Sequence, residues 1–144
     1  MFLSSITEQG ATPALVKAME FAEARASVIA DNVANIQTPG YRAKSLDPRG
    51  FQRALREALD ARELPGDSLH VADGRELKTD AGGRLHVAPS TAPGQNVLFH
   101  DGTNLSIERQ MSDLAETAMA HELSATLLKG NWDRLRAAIR GRAG

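Results

Sequence analysis

Apolar residues recur in alternating steps of four and three along two stretches, one near each end of the chain. The first stretch runs from Leu15 to Ile36, and the second runs from Ile107 to Ile139. An average period of about 3.5 residues keeps one stripe of a helix against a partner helix that lies nearly parallel or antiparallel to it. The pattern therefore predicts two long coiled-coil helices.

The first helix is predicted to run from about Pro13 to Ile36. Thr12 is its candidate N-cap, because proline at the first helical position loses no hydrogen bond and already has a suitable φ angle. Thr38-Pro39-Gly40 is expected to stop the helix, because proline disfavours helical geometry in the residue before it and glycine permits positive φ. We call its apolar stripe the first seam, which consists of Leu15, Met19, Ala22, Ala26, Ile29, Val33 and Ile36.

The last helix is predicted to follow a turn and N-cap candidate at Asp101-Gly102-Thr103-Asn104, with Glu108 near its start, where a negative charge complements the helix dipole. Gly130 costs about 1 kcal/mol relative to alanine inside a helix, so a bend or an early end near this residue remains open. We call the apolar stripe of this helix the second seam, which consists of Ile107, Met111, Leu114, Ala118, His121, Ala125, Leu128, Trp132, Leu135 and Ile139.

The middle of the chain is richer in glycine and proline than either end. Asp47-Pro48 is expected to open a third, shorter amphipathic helix, and Pro65-Gly66 is expected to end it. Short alternating pieces follow, separated by Asp-Gly, Gly-Gly and Pro-Gly pairs. Ala81-Gly82-Gly83 could close a small hairpin, but an isolated two-stranded ribbon is only marginally stable. We therefore expect mostly loop in this region.

Together these elements predict a mainly α fold. Long N- and C-terminal helices form an antiparallel coiled-coil pair, and a Gly/Pro-rich loop with a short helix is inserted between them. The expected segments are 1–44, 45–102 and 103–144. Several seam positions are alanine, which buries little apolar area, so one pair of helices is not expected to be stable by itself. We expect the terminal helices to complete their burial in a bundle between subunits.

Composition and charge exclude several classes of function. The chain has 144 residues, and its 17 lysine and arginine residues oppose 18 aspartate and glutamate residues, for a net charge of −1. Proteins that hold nucleic acid mainly by electrostatics usually have a basic excess, so we expect no nucleic acid partner. The absence of cysteine excludes disulfides and thiolate zinc sites. Apolar runs are at most three residues long, so we expect neither a membrane span nor a cleaved signal peptide.

No residue pattern in the sequence points to catalysis, to a cofactor or to a metal. The four histidines (His70, His86, His100 and His121) are scattered and lack HExxH spacing. The sequence contains no glycine motif for phosphate binding and no nucleophile elbow. A small hydrolase that uses His100 and Asp101 is a remote alternative. We therefore expect a protein that is not an enzyme and has no cofactor.

The sequence IADNVANIQTPGYRAK at residues 29–44 resembles the N-terminal signature of the bacterial flagellar rod and hook family, in which a helix with paired asparagines ends in a Thr-Pro-Gly-Tyr turn. Residues 104–128, NLSIERQMSDLAETAMAHELSATLL, look like the closing helix of that family, with Asn104 and Glu108 in matching places. The small size and the amphipathic helix straight after the turn are more similar to the family's proximal rod member than to the related rod protein FlgC.

The resemblance implies a structural subunit of the proximal rod in the flagellar basal body. Such a subunit would be exported unfolded through the flagellar type III apparatus without a cleaved signal and assembled in the periplasm. The implied partners are further copies of the chain in a helical assembly, other rod proteins such as FlgC, the adapter FliE and the MS ring protein FliF. Its terminal helices would be disordered alone and fold on assembly. The alternatives are a soluble helical adapter and another axial protein of the family, such as FlgC.

The resemblance also singles out residues that depart from the pattern or carry it. His121 and Glu122 stand where family members often have tyrosine and glutamine, and Ser106 stands where an aspartate is common. Asn32 and Asn35 share a helix face beside the first seam, and we expect them to set register at an interface. The turn Thr38-Pro39-Gly40-Tyr41 is expected to be structural, with Tyr41 packed against a helix. The predicted assembly interface consists of the two seams together with Asn32, Asn35, Thr38, Pro39, Gly40, Tyr41, Asn104 and Glu108.

Overall fold

Three helices and four short strands make up the described part of the chain. The computed structural model describes residues 11–62, 69–91 and 107–141. The elements in chain order are α1 (Thr12–Ala34), β1 (Lys44–Ser45), α2 (Pro48–Asp60), β2 (Leu77–Thr79), β3 (Leu85–Val87), β4 (Ser90–Thr91) and α3 (Ile107–Gly141). None of these helices is both long and apolar enough to cross a bilayer.

The long terminal helices α1 and α3 pack against each other, as the two seams predict. Asn32, near the end of α1, is hydrogen-bonded to Gln110, near the start of α3, while Arg25 contacts Glu116 farther along α3. The contacts therefore run in opposite directions along the two helices, and the pair is antiparallel. Helix α3 continues through Gly130 without a break, so the alternative of an early end there is wrong.

The ends of α1 differ from the sequence-based expectation. Thr12 lies inside the helix, and its N-cap is Ala11, which already has helical dihedral angles and makes no side-chain cap. The backbone N–H of Leu15 donates to the Ala11 carbonyl at 3.0 Å, which is the first hydrogen bond of the helix and forms with or without a capping side chain. At the other end the helix stops at Ala34, two residues earlier than predicted, with Asn35 as the C-cap.

Helix α2 begins where the sequence indicates. The side chain of Asp47 accepts a hydrogen bond from the backbone N–H of Arg49 at 3.0 Å, and Pro48 occupies the first turn. This is the arrangement expected of an aspartate N-cap followed by proline. The helix ends at Asp60, before Pro65-Gly66, which lies outside the described residues, as does the predicted turn at residues 101–104.

The middle segment contributes to a packed core, although most of its described residues after α2 lie outside strands, as expected. The rings of Phe21 on α1 and Phe51 on α2 are stacked, with centroids 4.2 Å apart. Their burial extends to a cluster that also includes Val28, Leu46, Ala58, Leu69, Val71, Leu77 and Leu85. Phe21 and Val28 lie outside the first seam. Helix α1 is therefore covered on two sides, by α3 and by the middle segment.

Two small antiparallel sheets position the middle segment. Strands β2 and β3 form a hairpin in which Leu77 pairs with Val87 and Thr79 pairs with Leu85. Gly83 closes the turn with φ +77°, and its N–H donates to the Asp80 carbonyl at 2.9 Å. Positive φ is readily available only to glycine, so the Gly-Gly sequence does close a hairpin here. The second sheet pairs β1 with β4.

Candidate functional site

Asn32 joins three parts of the chain through one buried carboxamide. Its Nδ2 donates to the Lys44 carbonyl at 2.8 Å and to Gln110 Oε1 on α3 at 3.1 Å. Its Oδ1 accepts from the Lys44 N–H at 3.0 Å and from the Tyr41 hydroxyl at 3.2 Å. Both N–H groups and both lone pairs are thus used, and the residue is only 2% exposed. A buried amide satisfied this fully holds one arrangement of its neighbours.

The Thr-Pro-Gly-Tyr sequence forms a tight turn directly after α1. The Tyr41 N–H donates to the Thr38 carbonyl at 3.2 Å, and Gly40 has φ +74°. Proline at the second position and a glycine with positive φ at the third are typical of a type II turn. Asn35 links this turn to the helix, since its Nδ2 donates to the Asp31 carbonyl at 2.8 Å and its Oδ1 accepts from the Thr38 hydroxyl.

Tyr41 folds back from this turn so that its ring is half-buried and its hydroxyl reaches Asn32. Burial raises the pKa of the Tyr41 phenol above its ordinary value, and the negative charge of Asp31 raises the pKa further. Both effects disfavour the phenolate. The fold therefore favours the neutral hydroxyl, which donates to Asn32 on α1. Tyr41 thus packs against a helix, as predicted.

Arg25 provides the second polar link between α1 and α3. Its two terminal nitrogens each lie 3.2 Å from Glu116 Oε2, and Nη2 lies 3.5 Å from Asp113 Oδ1. The Arg25 side chain is 12% exposed, whereas the Glu116 side chain is 63% exposed. A guanidinium this far out of water needs carboxylate partners, so this contact favours the observed pairing of the helices.

The face that α3 turns toward α1 is one position away from the second seam. The buried residues of α3 are Thr117 and Ser124. Their hydroxyls donate to the carbonyls of Asp113 and Ala120, four residues earlier, at 2.6 and 2.8 Å. Because each hydroxyl is satisfied within its own helix, these small side chains pack like alanines. The contact of α3 therefore includes two hydroxyl residues that the second seam does not contain.

The predicted interface residues are therefore divided between burial and exposure. In the first seam, Ala22 and Ile29 are buried, and the half-buried members are Leu15, Met19, Ala26, Val33 and Ile36. In the second seam the half-buried members are Leu114, Ala125, Leu128 and Leu135, and the exposed ones are Ile107, Met111, Ala118, His121, Trp132 and Ile139. Glu108 is exposed in the first turn of α3, as are Thr38, Pro39 and Gly40 in their turn. Asn104 lies outside the described residues.

Helix α3 also exposes apolar residues that neither seam includes. Met119, Leu123 and Leu127 follow one another in steps of four, so they form a stripe along one face of the helix, which we call the outer stripe. Met119 is 64% exposed and Leu123 is 61% exposed. A run of large exposed apolar side chains usually marks a surface for another molecule.

A buried ion pair on α1 anchors the β2–β3 hairpin, and the sequence pattern did not reveal it. Lys17 Nζ donates to Glu20 Oε2 at 2.9 Å and also to the Gly83 carbonyl. The same Glu20 oxygen accepts from the Leu85 N–H at 3.1 Å. Lys17 is 5% exposed, which is rare for a lysine without a partner. Lysine and glutamate three apart also occur on solvated helices, so only the structure identifies this anchor.

Within residues 11–62, 69–91 and 107–141, no three histidine, aspartate or glutamate side chains lie close enough together to hold a metal ion. His86 Nε2 lies 2.9 Å from Asp80 Oδ2 on the exposed hairpin. This hydrogen bond lowers the pKa of the Asp80 carboxyl, and the Arg84 N–H, which donates to the same carboxyl, lowers it further. The pair stabilises the hairpin turn. His100 and Asp101 lie outside the described residues.

Comparison with known proteins identifies the family. Residues 14–42, which contain most of α1, both asparagines and the turn, match the model of the family described as flagella basal body rod protein. The FlgB protein of Borrelia hermsii is 32% identical over 103 residues, which cover 69% of this chain and 73% of that protein. FlgB of Bacillus subtilis is 27% identical over 88% of this chain and 91% of its own length. FlgB of Escherichia coli is 25% identical over 79% of this chain and 81% of its own length. The chain belongs to the family of the flagellar basal body rod protein FlgB.

Proposed function

We propose that this chain is a structural subunit of the proximal rod, which connects the MS ring and the export gate to the rest of the rod in flagellum-driven motility. Membership of the FlgB family supports the coarser statement that it is a structural component of the rod in the flagellar basal body. The finer position within the rod is part of the proposal. The activity is mechanical, and no catalytic step belongs to it.

The observation that carries the proposal is the apolar surface that α3 leaves uncovered. Seven large apolar side chains of this helix are exposed: Ile107, Met111, Met119, Leu123, Leu127, Trp132 and Ile139. They occur along nearly its whole length, which at 35 residues is about 50 Å. Covering them with helices of neighbouring subunits would remove this area from water and stabilise an assembly.

The proposal gives different roles to the two groups of interface residues. Ala22, Ile29 and Asn32 are buried within the chain and position α1, whereas the exposed members of the second seam and the outer stripe contact neighbouring subunits. Contacts of this kind use different surfaces on the two partners. A repeated contact between unlike surfaces produces an open helical array when the rotation does not close, which is the symmetry that a rod requires.

We also propose the partners and the route of assembly. The neighbours are further copies of the chain, other rod proteins such as FlgC, the adapter FliE and the MS ring protein FliF. The subunit reaches the periplasmic rod through the type III export apparatus without cleavage of a signal peptide. In this proposal the antiparallel pair forms within the single chain, and the parts of the terminal helices that it leaves uncovered, within residues 1–44 and 103–144, complete their folding on assembly.

The test is a pair of substitutions on the outer stripe, Met119→Ser with Leu123→Ser, in cells that lack their own copy of the gene. Both side chains are exposed, so the chain should be made at a normal level while swimming and rod formation in isolated basal bodies are lost. Leu59→Ser is the matched control, because Leu59 is an exposed leucine on α2, at 38%, and swimming should persist.

Normal swimming of the outer-stripe variant would contradict the proposal. A variant that is made but purifies in a small closed complex with a partner would favour the adapter alternative. Replacing Ile29 and Val33 with aspartate would be a less specific test, since Ile29 is buried within the chain and its loss would damage the fold as well as the assembly.

A further inference from the structure

The packing of α1 against α3 repeats every seven residues, so packing alone allows more than one register. On α3 the small or polar residues of the contact face are spaced by seven: Gln110, Thr117, Ser124 and Asn131 are all buried or half-buried. Ala22 and Ile29 on α1 have the same spacing and are both buried. A slip of seven residues would place similar side chains opposite each other and cost little packing energy.

The partners of Arg25 do not follow this repeat. Arg25 contacts Asp113 and Glu116. A slip of seven in one direction would place Ser106 and Arg109 at those two positions, and a slip in the other direction would place Ala120 and Leu123 there. In either slipped register a guanidinium that is 12% exposed would have no carboxylate, which is far more costly than a change of apolar neighbours.

Asn32 adds a second contact of the same kind, two turns of α1 away. Its Nδ2 donates to Gln110 Oε1 on α3 at 3.1 Å while the rest of the carboxamide binds Lys44 and Tyr41. A slip would bring Thr103 or Thr117 opposite Asn32 in place of the glutamine. The hydroxyl of Thr117 is already donated to the Asp113 carbonyl, and its side chain is shorter than that of glutamine.

We propose that Arg25 and Asn32 are specificity residues that select one antiparallel register of α1 on α3 among those that the heptad packing permits. Arg25 acts through Asp113 and Glu116, and Asn32 acts through Gln110. The register then determines where along the molecule the outer stripe and the end of α3 lie. This inference concerns a single chain, so it stands or fails independently of assembly into a rod.

The test measures the register with spin labels in the full chain. The chain has no cysteine, so Ala30→Cys on α1 and Thr126→Cys on α3, both at exposed positions, provide two unique labelling sites. Double electron–electron resonance on this protein should give a single distance. Charge reversal by Arg25→Glu should lengthen that distance by up to about 10 Å, the length of seven helical residues. An increase in the distance is expected, because the slip that places Arg109 at the position of Glu116 moves the two labels apart, and only that slip brings the introduced carboxylate opposite Arg109.

The matched control is Arg136→Glu, which reverses a charge that is paired with Asp133 on the same helix, and the distance should not change. Combining Arg25→Glu with Asp113→Arg and Glu116→Arg should restore the original distance, because the ion pairs are rebuilt with their charges exchanged. The same restoration is expected if Arg25→Glu alone unfolds and loses its helical circular dichroism signal. An unchanged distance in folded Arg25→Glu would overturn the proposal, because the apolar packing would then set the register. So would a failure of the combined variant to restore the distance, or several distances in the unsubstituted chain.

Discussion

At the scale of single residues, Asn32 shows how one side chain can organise a long helix, a turn and a second helix together. The polar atoms of its carboxamide are all used, and its partners come from residues 41, 44 and 110. The side chain of Asn35, three residues later, bonds locally, to Asp31 near the end of α1 and to Thr38 in the turn. The two asparagines of the family signature therefore have different structural roles in this chain.

This difference predicts unequal costs of substitution. Asn32→Ala should lower the free energy of unfolding by about 2 to 3 kcal/mol, because it leaves buried partners without hydrogen bonds. Asn35→Ala should lower it by at most about 1 kcal/mol, because its bonds are exposed to solvent. Urea unfolding followed by circular dichroism measures both, and equal effects of the two substitutions would contradict the assignment.

Tyr41 offers a direct pH measurement, because it is the one tyrosine in the sequence. Burial and the charge of Asp31 raise the pKa of its phenol, so the ultraviolet absorbance of the folded chain should titrate above the ordinary tyrosine value and return to that value in urea. The contribution to stability is fully present below the ordinary pKa and is lost as the pH rises through the higher folded pKa.

The titration has an internal control. Asp31→Asn removes the negative charge that is the smaller cause of the raised pKa, so it should move the absorbance midpoint part of the way back without reaching the value found in urea. If the folded and urea-unfolded chains of the original sequence titrated at the same pH, the burial of the Tyr41 phenol near Asp31 would be contradicted.

At the scale of elements, α1 is covered on two sides while α3 is covered on one. The stacked rings of Phe21 and Phe51 and the buried Lys17 hold the middle segment on one side of α1, and α3 lies on another. The buried residues of α3 are the small Thr117 and Ser124, its leucines in the second seam are half-buried, and seven large apolar side chains are exposed. The two helices have similar seams in the sequence but different environments in the fold.

The turn after α1 gives a prediction at this scale. Gly40→Ala should destabilise the chain by about 1 to 2 kcal/mol, because Gly40 has φ +74° and a side chain is strained in that region. The space around it is open, so the cost is conformational and no clash contributes. Gly74→Ala is the control, since Gly74 is also in open space without positive φ, and it should be neutral or slightly stabilising. Thermal unfolding compares the two, and equal losses would argue against the turn geometry.

The elements were largely predictable from the sequence, whereas their contacts were not. Periodicity located α1 and α3, and the Asp47-Pro48 cap located the start of α2, because these signals are local. The contact face of α3 was missed because counting apolar residues cannot show that Thr117 and Ser124 satisfy their hydroxyls internally. The distant partners of Asn32 and Lys17 were missed for a different reason, since Lys44, Gln110 and Gly83 lie 12 to 78 residues away along the chain.

At the scale of the whole molecule, the antiparallel pair is unequal in length. The contacts of Asn32 with Gln110 and of Arg25 with Glu116 set the alignment. Extended at the rise of an ideal helix, this alignment puts Thr12 level with about residue 129 of α3. The last part of α3 therefore extends beyond α1, and it carries the exposed side chains of Trp132 and Ile139.

Hydrogen exchange should follow this distribution of burial. Amides in the middle of α1 should exchange most slowly, those of α3 up to about residue 128 at an intermediate rate, and those from 129 to 141 fastest, since local opening is easiest where few apolar contacts must be broken. Mass spectrometry of peptides from the full chain measures the order, with the exposed tip of the β2–β3 hairpin, at Ala81 and Gly82, as an internal reference. Equal protection along all of α3 would mean that it is covered over its whole length.

The anchor of the β2–β3 hairpin, the Lys17–Glu20 ion pair, binds main-chain atoms near the tip of the hairpin. Lys17 donates to the carbonyl of Gly83, and Glu20 accepts from the N–H of Leu85, while Ala81 and Gly82 are exposed. Side chains at these two tip positions can therefore change while the attachment to α1 is retained. This makes the tip a permissive site at which an epitope or a fluorescent label can be inserted with the fold preserved, so that the subunit could be followed in living, swimming cells.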